Sequence, residues 1–166
     1  MIKEKLSVKS DIEIIIRNSK TKEIIDIKHV KNILTNNGLK WIRNMMANIT
    51  PLEDSNFNVD TRLTHIAVGD NNTSPSLTQT SLGNELLRKE LYPTPDANCS
   101  ITIEGNDTVI YTIFIDETEL VGEILREIGL FSQTFGNFML SRALLGNLSK
   151  TDDIDFTIKY KYIIGN

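Results

Sequence analysis

Hydrophobic and polar residues alternate along most of this chain, and the alternation predicts β-strands. The clearest case is the segment 153–164, where polar residues, among them Asp155, Lys159 and Lys161, occupy every second position as far as residue 161. Its apolar side consists of Ile154, Phe156, Ile158, Tyr160 and Tyr162. One-sided alternation of this kind is typical of an antiparallel sheet with one face in water.

Two pairs of strand-like segments are separated by short turns and predict β-hairpins. The first, about residues 5–31, is rich in isoleucine and turns at residues 18–22. The second joins residues 100–104 to residues 108–115 through Gly105-Asn106-Asp107, the strongest hairpin turn in the sequence. We expect the first hairpin to be an N-terminal arm that can pair with a neighbouring subunit, because strands near a chain end often lie at a sheet edge.

One stretch has the periodicity of a helix instead. Asn36-Asn37 offers a helix cap. Apolar residues then recur at helical spacing: Leu39, Ile42, Met45 and Met46. The pattern predicts one substantial α-helix near residues 37–49, with this stripe and the nearby Trp41 on its buried side.

Together these elements predict seven or eight strands, one helix and loops of uneven length. No repeat or linker divides the 166 residues, so residues 1–166 are expected to form a single domain. The expected fold class is mainly β: an antiparallel β-sandwich, of which a jelly roll is one variant, with the helix covering one end or edge.

The segment 65–91 is the part around which the rest of the sequence is arranged. A strand reaches Gly69, a polar aperiodic loop follows from Asn71 to Ser81, and Leu82 returns the chain to apolar residues. A loop of this length in a compact domain is more often functional than idle. Its first residues are therefore candidate interface residues: Asn71, Asn72, Thr73, Ser74 and Pro75.

The composition of the chain excludes several kinds of site. Cys99 is the only cysteine, so an intrachain disulfide and a cysteine metal cluster are excluded. The acidic residues Glu53, Asp54 and Asp60 lack the spacing of a calcium loop. No cofactor or metal site is predicted.

The sequence contains no sign of a membrane span or of secretion. No segment reaches the roughly 20 apolar residues of a membrane span, and residues 1–6 lack the apolar region of a secretory signal. We therefore expect synthesis in the cytoplasm and no membrane partner.

Charge is distributed unevenly along the sequence. The first 49 residues have a balance of +5 and the remainder a balance of −9, which together give the net charge of −4. The lysines of the first hairpin alternate with acidic and apolar residues, which favours a solvated strand face over a nucleic-acid site. We therefore expect the basic edge of the first hairpin to contact the acidic remainder of a neighbouring copy.

A series of short motifs runs from about residue 30 to residue 164. In order they are Asn37-Gly38-Leu39-Lys40-Trp41-Ile42, Ile66-Ala67-Val68-Gly69-Asp70, Pro75, Thr80-Ser81-Leu82 with Glu85 and Arg88, Glu127-Ile128-Gly129-Leu130-Phe131, Gly136, Ser141-Arg142-Ala143, and the alternating strand 154–164. In this order and spacing the chain resembles small structural domains of tailed bacteriophages and of phage-derived bacteriocin particles.

The resemblance implies a non-enzymatic virion structural protein, a tail-fibre attachment module or a baseplate or tail adaptor. Its partners would be other copies of itself and other tail, baseplate or fibre proteins, and its place would be the tail or baseplate region of the virion. Fibre proteins of this kind continue into a long shaft, whereas this sequence ends two residues after Ile164, which favours a connector over a receptor-facing protein.

Three other functions stay open. A head or collar decoration protein would come from the same particle. A carbohydrate-binding or receptor-binding module at the tail tip would need exposed aromatic rings, for which Trp41, Tyr160 and Tyr162 are the candidates. A glycosidase would need two carboxylates held across a sugar. The candidates for such a pair are Glu104, Asp116, Glu123 and Glu127, and no motif selects two of them.

Two structural hypotheses concern the later motif residues. A charged residue beside Gly129-Leu130-Phe131 needs a partner, so Glu127 is expected to pair with Arg88, the alternative being that both are exposed and unpaired. Neighbours on a strand face opposite ways, so Leu130 and Phe131 are expected to be divided between core and surface, the exposed one being a candidate interface anchor.

Overall fold

A computed structural model describes residues 7–47, 63–93, 98–132 and 138–165, without the side chains of residues 45–47. This part of the chain forms ten strands and one helix. They are β1 (Ser7–Asn18), β2 (Ile24–Val30), β3 (Asn32–Leu34), α1 (Asn36–Ala47), β4 (Leu63–Gly69), β5 (Glu85–Glu90), β6 (Ser100–Glu104), β7 (Thr108–Ile115), β8 (Ile124–Ser132), β9 (Met139–Ser149) and β10 (Ile154–Gly165).

The strands form two five-stranded sheets with antiparallel pairing throughout. Sheet I has the order β2-β1-β10-β7-β6, and sheet II has the order β3-β9-β8-β4-β5. The predicted fold class, mainly β with two antiparallel sheets as in a β-sandwich, is confirmed. The strands are more numerous than predicted, because β3 and β5 are short segments without clear alternation.

The chain divides into two compact units, and each contains one sheet. Unit 1 takes residues from 1–31, 91–122 and 150–166 and holds sheet I. Unit 2 takes residues from 32–90 and 123–149 and holds sheet II. Neither unit is one continuous segment. The expectation of a single domain stays a prediction.

Sheet I has a buried face made by matching rows on its three central strands. Strands β1, β10 and β7 align Ile12 with Tyr160 and Tyr111, Ile14 with Ile158 and Ile113, and Ile16 with Phe156 and Ile115. These side chains are all at most 9% exposed. Burial raises the pKa of Tyr111 to about 12. The one-sided pattern of β10 is thus confirmed, apart from Asp155, which is buried and accepts a hydrogen bond from Lys22 Nζ at 3.2 Å.

Both predicted hairpins form. Strands β6 and β7 join through the turn at Gly105, which has the positive φ of 62° that favours glycine there. Strands β1 and β2 form the first hairpin, in which the Asn18 side chain accepts the N–H groups of Lys20 and Thr21. Because β1 also pairs with β10 along its whole length, this hairpin is built into its own sheet, and only β2 lies at the edge.

Sheet II differs from sheet I because burial on both faces extends along most of its three central strands, whereas in sheet I it is limited to Ile14–Ile16 of β1 and to residues 155–156 of β10. Strands β4, β8 and β9 contain consecutive buried residues, for example Ile66, Ala67 and Val68, where alternation would expose every second one. One face carries Ile66, Val68, Ile128 and Leu130. The other carries Ala67, Glu127, Gly129, Phe131 and Arg142, and this second face is covered by the loop described below.

The helix is present but small, so the expectation of a substantial helix is wrong. Its N-cap is Thr35, not Asn36-Asn37: Thr35 Oγ1 accepts the Gly38 N–H at 3.1 Å and donates to the Met139 carbonyl at 2.5 Å. Leu39 is 52% exposed, so it does not belong to a buried stripe. A Cβ on Gly38 would collide with the Leu140 carbonyl, which explains a glycine in the first turn.

Several predicted features lie outside the described residues. They are the helix beyond residue 47, the acidic residues Glu53, Asp54 and Asp60, and Gly136 of the motif series.

Candidate functional site

The loop between β4 and β5, residues 70–84, is the candidate interaction site, and a buried carboxylate holds it down. Glu127 in β8 is fully buried. Its Oε2 accepts the Gly83 N–H at 3.0 Å, and its Oε1 accepts the Asn84 N–H at 2.9 Å. Two consecutive backbone N–H groups on one carboxylate fix the end of the loop in position, since charge-assisted hydrogen bonds are the strong ones.

Arg142 in the neighbouring strand β9 completes this arrangement. Its Nε donates to Glu127 Oε2 at 2.8 Å, and both side chains are 0% exposed. Its Nη1 donates to the Thr73 carbonyl at 2.8 Å and to Gln79 Oε1 at 3.2 Å. One arginine therefore ties the start and the middle of the loop to the carboxylate that ties its end. We call Glu127 and Arg142 the clamp.

Two glycines make room for this contact. A Cβ on Gly69 would collide with the Asn84 carbonyl and would lie 2.7 Å from Glu127 Oε1. A Cβ on Gly83 would collide with the side chain of Asn71. The requirement is close approach in both cases, of the loop to the sheet at Gly69 and of the two ends of the loop to each other at Gly83, and not an unusual backbone angle.

The loop also buries an apolar contact beneath it. Leu82 packs in a cluster of buried residues with Ala67, Phe131 and Met139. The guanidinium of Arg88 lies 4.0 Å from the centre of the Phe131 ring, a cation–π arrangement. Leu130 faces the opposite side of sheet II and is also fully buried. The expectation that Leu130 and Phe131 divide between core and surface is therefore wrong, and neither is an interface anchor on the described chain.

The expected pairing of Arg88 with Glu127 is also wrong in its partners. Arg88 donates to both carboxylate oxygens of Glu85 at 2.8 and 2.6 Å, while Glu127 takes Arg142. The strand register gives the reason. Glu127 and Arg142 lie on adjacent strands, whereas β4 lies between Arg88 on β5 and Glu127 on β8.

Internal hydrogen bonds give the loop a defined shape. Asn71 Oδ1 accepts the Thr73 N–H at 2.8 Å, and Gln79 Oε1 accepts the Ser76 N–H at 2.7 Å. At the base of the loop, Asn84 Nδ2 donates to Asp70 Oδ1 at 2.8 Å. The loop is thus an ordered excursion, as the sequence predicted.

The outer surface of the loop presents small polar groups to solvent. Of the five predicted interface residues, Asn72, Thr73 and Ser74 are exposed, and Asn71 and Pro75 are half-buried. Leu77 is 53% exposed and is the largest apolar side chain on this surface. The five residues do lie together on one accessible surface, and contact with a partner through them stays a prediction.

Sequence reasoning assigned no role to Arg142, although it sits in a motif that was noted. The sequence did contain an indication that Arg142 is buried, because it lies inside the largely apolar segment 138–145, and an exposed strand would not be apolar on both sides of it. A buried cation of this kind needs a buried anion, and Glu127 in its own apolar run was the matching residue.

Other candidates have different surroundings. Tyr160 and Tyr162 are at most 5% exposed, and their rings stack on each other, so they are not available to a sugar. Glu127 is committed to Arg142 and two backbone N–H groups, so it cannot be one of two free carboxylates. Among the described residues no group of three or more His, Cys, Asp and Glu side chains is placed to hold a metal ion.

His65 and Lys150 have shifted titration. Partial burial, the largest influence, lowers the pKa of His65 in β4, with Arg88 acting in the same direction and Glu90 and Glu85 opposing it. Burial likewise lowers the pKa of Lys150, whose Nζ donates to the Thr151 carbonyl at 2.8 Å.

No protein-family model, no curated protein and no solved structure matches this chain. Within the part of the chain described, none of the helices has the length and apolar character needed to cross a membrane.

Proposed function

We propose that this chain is a non-enzymatic structural protein of a tailed phage or phage-tail-like particle, where it acts as a tail-fibre attachment module or a baseplate or tail adaptor. The proposal rests on the motifs that resemble those of such proteins. What supports it is that the motifs that contain Gly69, Glu127 and Arg142, far apart in the sequence, meet at one place in the fold.

That convergence is the single observation on which the proposal depends. Gly69, Glu127 and Arg142 come from three different motifs and lie in three adjacent strands, β4, β8 and β9. Together they hold the 70–84 loop, which contains the proline and Thr-x-Leu motifs. A shared structural task would explain why these motifs occur together in one chain.

The geometry favours recognition of a protein surface. The loop offers amide and hydroxyl groups on a fixed backbone around one exposed leucine, Leu77. An ordered loop loses little conformational entropy on binding, so even a small polar surface can bind specifically. We propose that this surface contacts other tail, baseplate or fibre proteins, or further copies of the same chain, in the tail region of a virion.

The test is whether the chain is part of a particle. Tail-like particles would be induced in the source bacterium, purified on a density gradient and analysed by mass spectrometry, and the chain would be located with a gold-labelled antibody. We expect the chain in the particle fractions and the gold at the tail or baseplate end. A chain that stays with the soluble proteins, or gold on the head alone, contradicts the proposal.

A pair of variants tests the loop itself. Ser74→Arg places a long charged side chain on the exposed loop, and Ser149→Arg places the same side chain on an exposed position of β9. Both proteins should fold, because neither serine is buried. If the loop is the contact surface, Ser74→Arg should be lost from particles while Ser149→Arg is retained. Equal incorporation of both contradicts the role of the loop.

A further inference from the structure

Strand β2 leaves one of its two edges unpaired among the described residues. It stands at the end of sheet I and pairs with β1 alone. Ile24, Ile25 and Ile27 are 55%, 57% and 45% exposed. An exposed edge strand with apolar side chains is a template for another strand.

The backbone of β2 shows which groups face outward. The Ile27 N–H donates to the carboxylate of the preceding residue, Asp26, at 2.8 Å, so it points away from β1 and towards the unpaired edge. In an antiparallel ladder, outward-pointing residues on one strand must lie opposite outward-pointing residues on the other. This parity restricts the ways in which two β2 strands can meet.

Charge then selects one of the allowed registers. If Ile27 lies opposite Ile27 of a second copy, Asp26 lies opposite Lys28 of that copy, and Lys28 opposite its Asp26. A shift of one copy by two residues places Asp26 opposite Asp26 in one direction and Lys28 opposite Lys28 in the other. Opposite charges directly across a strand pair are stabilising and like charges are destabilising.

We propose that two copies of this chain associate by antiparallel pairing of their β2 strands, about a two-fold axis that passes through the Ile27 pair. The contact is isologous: the same segment on both copies, with the Asp26–Lys28 pair formed twice. It would join two five-stranded sheets into one of ten strands. The inference rests on β2 alone and does not depend on the proposed function.

The two faces of the pairing are consistent with this arrangement. Asp26 and Lys28 align with Ile16 and Ile14 of β1, so they lie on one face of the sheet, and Ile27 aligns with Ile15 on the other. Pairing therefore puts two ion pairs on one face and an isoleucine pair on the other. A bulge at Ile25 ends the regular edge, which centres the contact on residues 26–28.

Charge reversal provides the decisive experiment. Sedimentation equilibrium of the full chain would be measured up to about 1 mM, the range in which a small interface associates. We expect a monomer–dimer equilibrium for the wild type. Asp26→Lys alone and Lys28→Asp alone should each weaken dimerisation by about tenfold or more, because each makes two like-charge pairs.

Complementation distinguishes this register from general damage. The double variant Asp26→Lys/Lys28→Asp restores both opposite-charge pairs and should recover dimerisation. An equimolar mixture of the two single variants should form a mixed dimer, since every facing pair is then opposite in charge. A variant that merely unfolds β2 would recover in neither case, and circular dichroism would detect it.

Glu104→Lys is the matched control, because it reverses an exposed charge on β6, the other edge strand of sheet I. It should leave dimerisation unchanged. The proposal is overturned if the wild type stays monomeric at about 1 mM, if the single variants dimerise as well as the wild type, if the mixture does not associate, or if Glu104→Lys is the variant that weakens association.

Discussion

The 70–84 loop and strand β2 were both predicted as surfaces for partners, and the structure makes them opposites. The loop is irregular and polar, yet the clamp and Leu82 attach it to sheet II along its length. Strand β2 is regular and rich in isoleucine, yet it leaves those side chains and one backbone edge in solvent. A segment with regular secondary structure is therefore not always the one whose side chains and backbone groups are better covered by the rest of the chain.

The difference follows from where each segment finds its hydrogen-bond partners. The loop receives acceptors and donors from buried side chains of β8 and β9, so it can be irregular and still ordered. Strand β2 has backbone partners from one strand only, β1, and on its outer edge the Ile27 N–H is bound by the neighbouring Asp26 carboxylate and not by a strand. The backbone of the 70–84 loop is therefore held by its own chain, whereas β2 can still accept a further strand at the edge of sheet I.

Removal of the arginine from the clamp should have the largest effect. Arg142→Met leaves the Glu127 carboxylate buried without its cation, which costs about 3–5 kcal/mol in the free energy of unfolding. Urea denaturation would measure that loss. In Arg142→Met, the rate of amide hydrogen exchange should increase more across residues 70–84 than in β2. Arg17→Met, a half-buried arginine in sheet I, is the control and should cost about 1 kcal/mol or less.

The double variant Arg142→Met/Glu127→Met sharpens this result. Removal of both charges relieves the uncompensated carboxylate, so the double variant should be more stable than Arg142→Met. It should not reach wild-type stability, because the Gly83 and Asn84 N–H groups lose their acceptor. A double variant as unstable as the sum of the single ones would mean that the two side chains are not coupled.

Gly69→Ala should have the next largest effect. The added methyl group collides with the Asn84 carbonyl and crowds Glu127, so the loop must move off the sheet. Overpacking of this kind costs about 1–3 kcal/mol. Gly165→Ala meets no atom within 4 Å and should change stability by less than about 0.5 kcal/mol. Equal, small losses at both glycines would show that close approach at Gly69 is unimportant.

A pair of conservative changes in sheet I measures how exposed β2 is. Ile14→Val in the buried face of β1 should cost about 0.5–1.5 kcal/mol, because a buried methylene is lost. Ile27→Val in β2 should cost less than about 0.5 kcal/mol for the monomer. Thermal unfolding at low protein concentration would compare them. A loss at Ile27 that matches the loss at Ile14 would mean that β2 is covered.

The sequence was sufficient for features that depend on local pattern. Alternation identified β10 and both hairpins, and Gly105 with its neighbours marked a turn that needs a positive φ. It failed where tertiary contacts override the local rule. Phe131 was placed by strand alternation on a possible surface, but a loop from elsewhere in the chain covers that face.

The pairing of charges shows the same limit. The sequence indicated that Glu127 needed a cation, and the choice between Arg88 and Arg142 depended on which strands are neighbours. Strand order arises from long-range contacts that a single sequence does not display, so the partner could not be chosen. The edge position of β2 was expected from its place near the chain end, whereas the self-complementary register needed the backbone orientation of Ile27.

The smallest predicted effect is a pH dependence that belongs to sheet II. Burial lowers the pKa of His65 in the folded chain below its ordinary value of 6.5. The unfolded chain then binds more protons than the folded chain just below pH 6.5, so stability should fall as the pH falls below that value. Urea denaturation from pH 7.5 to pH 5 would give the slope, and His65→Gln should reduce it. Thr64→Val removes the hydroxyl that lies 2.9 Å from His65 Nδ1 but no titrating group, so it should keep the slope. If wild type and His65→Gln lose stability in parallel, the histidine in the covered sheet makes no contribution, and the acid sensitivity arises elsewhere in the chain.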